Sequence, residues 1–365
     1  MFLCFFGIGH QAQSQFLAKI FKIDSIDNRY YSNFDTLTNT RLYLSQKLTN
    51  PTLKSGDGKH LLRYRSNGNT NLGIGNTYGW LTINIGLKFR AINHDDDVRG
   101  KTRFLDLHTQ IVGRPYVVDF FGQFYKGAYL IPEKGDLPDG TKYPLRPDLY
   151  TELIGFSSYY IPNWKRFSYA ALVTQRDWQK KSAGSPLLGF EFFTGRISGD
   201  SALVPPDRDW QPGYREINKV RFYEVAFGVG YAYSLVIKKH WFVSASAITT
   251  LSGGIMNQYA FGLASSSLYL RPNFLIRPSF GFNSNRFNGS VYLFANQVNA
   301  GNSNGVYRIN NSNFRVTFAY RFNPSPGFKK KYQILLNMKP RLKKKEKKQD
   351  EPKFAIPLPL PARYE

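Results

Sequence analysis

The sequence predicts an all-β chain: a transmembrane, antiparallel up-and-down β-barrel of about twelve strands, twelve to fourteen by alternation, followed by a disordered basic C-terminal tail. Three observations carry this. In Asn313 to Phe322, the large residues Phe314, Val316, Phe318, Tyr320 and Phe322 fall on one side of an extended strand, and Arg315, Thr317, Ala319 and Arg321 fall on the other. That stretch reads as the closing strand of a barrel, with aromatic residues toward lipid and polar ones toward a wet lumen. The composition agrees, with Phe 30, Tyr 24 and Gly 31, only 20% charged residues and a mean hydropathy of -0.39. No window approaches the roughly 18 consecutive apolar residues that a spanning helix needs, so any membrane crossing rests on strands. The apolar start Phe2 to Ile8 is followed by Ala12-Gln13-Ser14, a small-x-small pattern suited to signal cleavage. Cys4, the one cysteine, lies inside that segment, so the mature chain is expected to hold no disulfide and no thiolate metal site.

The expected organisation is a signal-peptide-like segment over 1–14, a periplasmic lead-in over 15–37, the barrel over 38–322 and a basic, Pro-rich tail over 323–365. Thr38 to Lys47 is the first strand, with Leu42 and Leu44 on one face and Arg41, Tyr43 and Ser45 on the other. Pro51 to Gly68 reads as loop. A hairpin follows: Leu72 and Ile74 alternate with small and polar residues, a turn falls near Tyr78-Gly79, and Leu81, Ile83, Ile85, Leu87 and Phe89 alternate with Thr82, Asn84, Gly86, Lys88 and Arg90. Thr102 to Val112 sends Leu105, Leu107 and Ile111 one way and Asp106, His108 and Gln110 the other. Further strands are expected at Tyr116 to Gly127, Asp148 to Tyr160, Phe167 to Gln175, Leu187 to Ile197, Lys219 to Ser234, Trp241 to Leu251, Asn273 to Phe282 and Phe287 to Gln297. Ala260 to Leu270 is a candidate for another pair. This assignment does not alternate consistently between short turns and long loops, so a strand is missed or merged in it.

Several runs resemble the domain-of-unknown-function family 4421: Tyr30-Tyr31-Ser32-Asn33-Phe34-Asp35, Arg41-Leu42-Tyr43-Leu44-Ser45, Gly122-Gln123-Phe124-Tyr125-Lys126-Gly127, Arg146-Pro147-Asp148, Trp178 to Ser185 and Gly199 to Pro205. The resemblance covers about Asp24 to Phe322. It implies a predicted outer-membrane barrel of the Bacteroidetes type, and it implies no activity, since the family has no assigned substrate or catalytic residue.

With the apolar faces toward lipid, the lumen receives Lys88, Arg90, Asp106, His108, Asp119, Glu191, Glu224, Arg277, Arg315 and Arg321. Acids gather on the middle strands and arginines on the late ones, a distribution that lets them pair across a narrow lumen. Two readings stay open. One is a small channel or solute-binding barrel, whose charges select what enters. The other is a closed structural barrel that tethers partners through its loops and tail. No catalytic residue, metal site or cofactor is expected. His108 has no serine fixed near it by spacing, and His94-Asp95-Asp96-Asp97 lacks the spacing of a calcium loop.

The tail carries Lys329-Lys330-Lys331 and then Arg341, Lys343, Lys344, Lys345, Lys347 and Lys348, and supplies much of the formal charge of +24. Outer-membrane lipid and the barrel-assembly machinery are the expected partners, with an anionic cell-envelope polymer or protein at the tail and no nucleic acid. Both termini are expected in the periplasm.

Overall fold

A computed structural model describes residues 26–68, 70–78, 81–88, 96–132, 137, 141–206, 210, 214–260, 262–327 and 329, with the backbone alone for 81–83 and 88. The signal-like segment, Phe89 to Asp95 and nearly all of the basic tail lie outside the described residues. The strands are β1 (Tyr31–Ser32), β2 (Thr38–Ser55), β3 (Leu61–Arg65), β4 (Thr70–Tyr78), β5 (Leu81–Lys88), β6 (Arg103–Asp106), β7 (Thr109–Val112), β8 (Tyr116–Ile131), β9 (Leu145–Tyr160), β10 (Trp178–Gln179), β11 (Ala183–Ser198), β12 (Ile217–Ile237), β13 (Trp241–Ala260), β14 (Leu263–Asn283), β15 (Phe287–Asn302) and β16 (Gly305–Phe322). Among the described residues there are also two short helices, α1 (Asp96–Arg99) and α2 (Tyr169–Val173).

Ten strands close on themselves in the order β2, β3, β8, β9, β11, β12, β13, β14, β15, β16. The closing pair is the expected one: β16 runs antiparallel to β2 from Gly305↔Ser55 to Phe322↔Thr38. Closure leaves no edge in this ring to face hydrocarbon. The end carrying Thr38 and Phe322 is called the near end, and the opposite one the far end.

The wall differs between the two ends. At the far end β3 bridges β2 and β8, pairing Lys54 with Leu61 and Arg65 with Tyr129. At the near end β4 pairs with β2, β5 with β4, and β6 and β7 with β8. The near half therefore has twelve staves, counting β6 and β7 as one broken strand. Among the described residues, β5 and the β6/β7 strand face each other without pairing.

The strands form where alternation predicts, and then run further. On β12 the outward residues Tyr223, Val225, Phe227, Val229, Tyr231, Tyr233, Leu235 and Ile237 are exposed, Phe227 to 70%, while Glu224, Ala226, Ala232 and Ser234 are buried. Toward the far end the chemistry reverses: Ile217, Val220 and Phe222 are buried, with Lys219 and Arg221 on the outer face. Soluble monomers rarely expose a continuous apolar patch beyond a few hundred Å². Here the near half is greasy all round, from Leu42 and Leu44 on β2 through Phe190, Phe227, Val243, Phe280 and Val291 to Phe318, which is the surface that hydrocarbon solvates. The far half is built like a soluble barrel, its interior filled by Leu53, Leu62, Tyr64, Leu149, Leu153, Ile197, Phe222, Met256, Val298 and Ile309.

Four expectations are corrected. Phe167 to Gln175 is not a strand: 161–182 folds as an insertion between β9 and β11, and α2 within it is buried on all sides. Ser168 starts the helix, its Oγ accepting from Ala171 N at 3.1 Å, and Tyr169-Ala170-Ala171-Leu172 follows with good helix formers. Pro51 to Gly68 is not a loop; β2 continues to Ser55 and β3 follows, because the apolar residues there have moved to the inner face. Ala260 to Leu270 adds no pair and belongs to the long β13 and β14. Thr102 to Val112 is broken at Leu107 and His108 into β6 and β7.

The lead-in is fastened to the insertion. β1 pairs with β10, matching Tyr31 to Gln179 and Ser32 to Trp178. The Tyr31 hydroxyl donates to Trp164 O at 2.9 Å, and Asn33 Nδ2 donates to Asp177 Oδ1 at 2.9 Å. The insertion is in turn held by the wall, with Ser279 Oγ donating to Leu172 O at 2.9 Å and Asn283 Nδ2 to Asp177 O at 3.0 Å. It forms a plug in the near end. Outside the spanning strands, Arg29 holds the Asp27 carboxyl down at about 2, so that charge persists at ordinary pH.

Candidate functional site

Alternation turns one charged side chain in two toward the axis, and the ring order decides which of them meet. β8 and β14 stand five places apart in a ring of ten, so they face each other across it. Arg277 on β14 reaches over and places Nη2 2.6 Å from Asp119 Oδ2 on β8, with both side chains fully buried. Asp119 also accepts from His108 Nε2 at 3.0 Å and Gln110 Nε2 at 2.7 Å. The Arg277 guanidinium lies over the rings of Phe294 at 5.2 Å and Tyr169 at 5.8 Å, joining the plug to the wall. His108 stacks on Phe121 with centroids 4.7 Å apart, and Phe121 packs against Phe193 and Phe294. This aromatic layer and the ion pair fill the axis at mid-height. Removing one partner would leave an uncompensated buried charge, which typically costs about 3–5 kcal/mol.

Two other buried acids, Glu191 and Glu224, are satisfied by neutral donors. Glu191 accepts from the Tyr159 hydroxyl and, at 2.9 Å, from Thr250 Oγ1. Glu224 accepts from the Tyr269 hydroxyl at 2.8 Å and Asn273 Nδ2 at 2.6 Å. At the near end Arg321 donates to Asn283 Oδ1 at 3.0 Å and to the Gln175 carbonyl, and its guanidinium lies 4.4 Å from the Phe34 ring centroid. It locks the plug and the lead-in to the last strand.

Off the axis, behind β4 to β7, is a chamber of about 580 Å³. Arg41, Tyr43, Ser45 and Lys47 of β2 line it with Arg315 and Asn313 of β16, Asn84 of β5, and Asp106, His108 and Gln110. Its one described carboxylate is engaged: Asp106 accepts from Lys47 Nζ at 2.7 Å, Gln123 Nε2 at 3.0 Å and the Tyr125 hydroxyl at 3.0 Å. Arg41 donates to Thr77, and Arg315 lies 5.1 Å from the Tyr43 ring centroid. Tyr43 in turn lies flat against Gly73, where a Cβ would stand 2.2 Å from its ring. The alternating glycines of the β4–β5 hairpin make room for the chamber wall. Pockets of 300–1,000 Å³ with a few convergent polar groups are of the size that takes small ligands.

Of the ten lumen residues expected, Asp106, His108, Asp119, Glu191, Glu224, Arg277, Arg315 and Arg321 are described, and all point inward. Asp119, His108 and Arg277 come together; Arg315 and Asp106 share the chamber; Glu191, Glu224 and Arg321 stand apart. Lys88 lies on β5 with only its backbone described, and Arg90 lies outside the described residues. Phe314, Val316, Phe318, Tyr320 and Phe322 all point outward on β16. Arg41 and Lys47 were not among the expected lumen residues, although the parity that turns Leu42 and Leu44 outward turns both of them inward. Asp96, in the acidic run His94 to Asp97, accepts from Asn67 Nδ2 at 3.1 Å, while His94 and Asp95 lie outside the described residues.

The sequence model of the family described as Domain of unknown function (DUF4421) matches residues 23–322. No curated protein matches the chain. Solved structures with a similar chain course include the outer membrane protease OmpT of Escherichia coli, at 8% identity over 80% of this chain and 98% of that one, with a TM-score of 0.38. OprG of Pseudomonas aeruginosa matches at 8% identity over 81% of this chain and 98% of that one, with a TM-score of 0.21. The toluene transporter TodX of Pseudomonas putida matches at 9% identity over 79% and 90%, with a TM-score of 0.19. Likenesses this distant carry no argument about what the chain binds or does.

Proposed function

We propose that this chain, which belongs to the family described as Domain of unknown function (DUF4421), is a closed, non-enzymatic barrel of the bacterial outer membrane that holds a small polar solute in a side chamber. The observation that carries the reading is the contrast between a filled axis and an unfilled flank. Arg277, Asp119 and the Phe121–Phe193–Phe294 layer occupy the axis, while a polar chamber of about 580 Å³ lies behind β4 to β7. The greasy near-half exterior and the signal-like start support the outer membrane, where closed barrels are the strand solution to crossing lipid. With the near end toward the periplasm, the plug, the lead-in and the end of β16 at Phe322 lie on that side, and insertion would require the barrel-assembly machinery.

A second reading is favoured by the same filled axis: a purely structural barrel that anchors envelope material through the basic run Lys329 to Lys348. The two differ in the chamber, which the scaffold leaves idle. The open-channel reading is tested first, by conductance of the purified barrel in a planar bilayer under a salt gradient. The closed barrel stays silent, and steady openings would overturn it. Deleting 324–365 should leave the barrel folded and silent; loss of co-sedimentation with cell-wall polymer on that deletion would support the tether.

A further inference from the structure

Among the described residues, two of the chamber's cations, Arg41 and Arg315, have no carboxylate paired with them. Arg41 and Arg315 sit on adjacent strands with the same inward parity, Arg41 opposite Ala319 and Arg315 opposite Ser45, and Tyr43 lies between them. Arg41 is only 4% exposed, and the two guanidiniums are close enough to repel each other. Among the described residues neither has a carboxylate within ion-pair distance; Arg41 donates only to the neutral Thr77 hydroxyl, and the buried Nε of each has no hydrogen-bond partner. Asn313 Oδ1, beside them in the lining, is also unpartnered. The acid whose field reaches Arg315 is Asp106, and Lys47 already holds it.

Two other interior arginines among the described residues are more fully engaged, though each also keeps an unpartnered Nε. Arg277 has Asp119, and Arg321 has the Asn283 side chain and the Gln175 carbonyl. Two guanidiniums without a counter-ion inside a membrane barrel are costly unless a counter-charge arrives, and ionisable groups kept at such depth mark ligand or ion sites. Arginine's planar fork suits carboxylate, phosphate and sulfate groups, which it binds through parallel N–H donors.

Resting on the solute-binding reading above, we propose that the chamber is an oxyanion site, in which Arg41 and Arg315 clamp the phosphate or carboxylate group of a small molecule or a lipid headgroup. The Lys47–Asp106 pair lines it as well, and Asn84 offers an amide to the body of the ligand.

The test is equilibrium dialysis of radiolabelled orthophosphate against the full-length barrel folded in a nonionic detergent, at low chloride, with labelled sucrose as the neutral probe. Saturable binding at one equivalent per barrel is expected, weakened about tenfold or more by Arg41→Gln and by Arg315→Gln, because each removes a charge-assisted contact. Arg315→Lys keeps the charge without the fork and should fall between the two. Arg308→Gln removes a cation from the far half and should leave binding unchanged. If the guanidiniums served only structure, Arg315→Gln would lower the melting temperature of the unliganded barrel. As a site with two repelling cations, it should melt at the wild-type temperature or above. Mixed micelles containing phosphatidylglycerol separate the sources: competition with orthophosphate identifies a lipid headgroup, and its absence a free solute. Saturable sucrose binding without phosphate binding would overturn the oxyanion site and leave the solute-binding reading standing. Binding of neither probe would overturn both.

Discussion

Along β16 the outward residues run Val306, Arg308, Asn310, Ser312 and then Phe314, Val316, Phe318, Tyr320, Phe322, while the inward ones run Tyr307, Ile309 and then Asn313, Thr317, Arg321. The backbone geometry is the same throughout, and only the solvent on each side has changed. In the far half water lies outside and the core is apolar, so stability comes from burial, about 1.5–3 kcal/mol for each large apolar side chain. In the near half lipid lies outside, so apolar side chains gain little by turning inward, and the interior is stabilised by paired polar groups instead. The comparison teaches that facing direction in this chain is set by two solvents in turn, and that the polar interior, where function can reside, is confined to the half that lipid surrounds.

The largest effects should separate the two interiors. Arg277→Ala in the near half leaves the buried Asp119 without its guanidinium counter-charge and should cost about 3–5 kcal/mol in denaturant unfolding from vesicles. Arg277→Met combined with Asp119→Leu should recover most of that loss, because both desolvation penalties go together. In the far half Ile309→Ala should cost about 2–5 kcal/mol through the cavity it opens, and there is no paired substitution that restores it. Next come the two exteriors: Phe227→Arg places a charge in lipid and should cost about 2–4 kcal/mol, whereas Arg221→Leu on the far part of the same strand should stay within about 0.5 kcal/mol. An equal cost at both positions would break the comparison.

Smaller effects test the plug. Ser168→Ala removes the cap of α2 and a 2.6 Å hydrogen bond to Asp177, and should cost about 1 kcal/mol locally. It should appear as faster amide exchange in 161–182 with the strands still protected. The smallest effect lies at the turn before β13, where Lys238 and Lys239 hold φ of 49° and 66° without being glycine. Lys239→Gly should raise stability by about 0.5–1 kcal/mol, read as a higher denaturant midpoint.

What could be read from the sequence follows the same division. The near half was legible because its large residues alternate strictly, as in Tyr223 to Tyr231 and Phe314 to Phe322, and because β-strand parity carries Asp119, Glu191, Glu224 and Arg277 inward without further knowledge. The far half was not, because the apolar residues change faces within one strand. Leu42 and Leu44 point out while Leu53 points in, and Pro51 to Gly68, rich in Lys, Gly, Ser and Asp, reads as loop by composition. The plug misled for a different reason: Phe167 to Gln175 is short and apolar, and periodicity alone does not separate a buried helical turn from a buried strand. The chamber was legible only in part. Arg315 was visible by parity, but its neighbours Arg41 and Lys47 come from the other end of the chain and meet it only through closure of β16 on β2.

The most direct test of the two-solvent wall is a scan of single cysteines along β16, in a Cys4→Ser background, each carrying an environment-sensitive fluorophore in vesicles of brominated lipid. The account predicts strong quenching at positions 314, 316, 318, 320 and 322 and none at 306, 308, 310 and 312. Quenching that continued along the outward positions to the far end, or that fell on the inward ones, would contradict it.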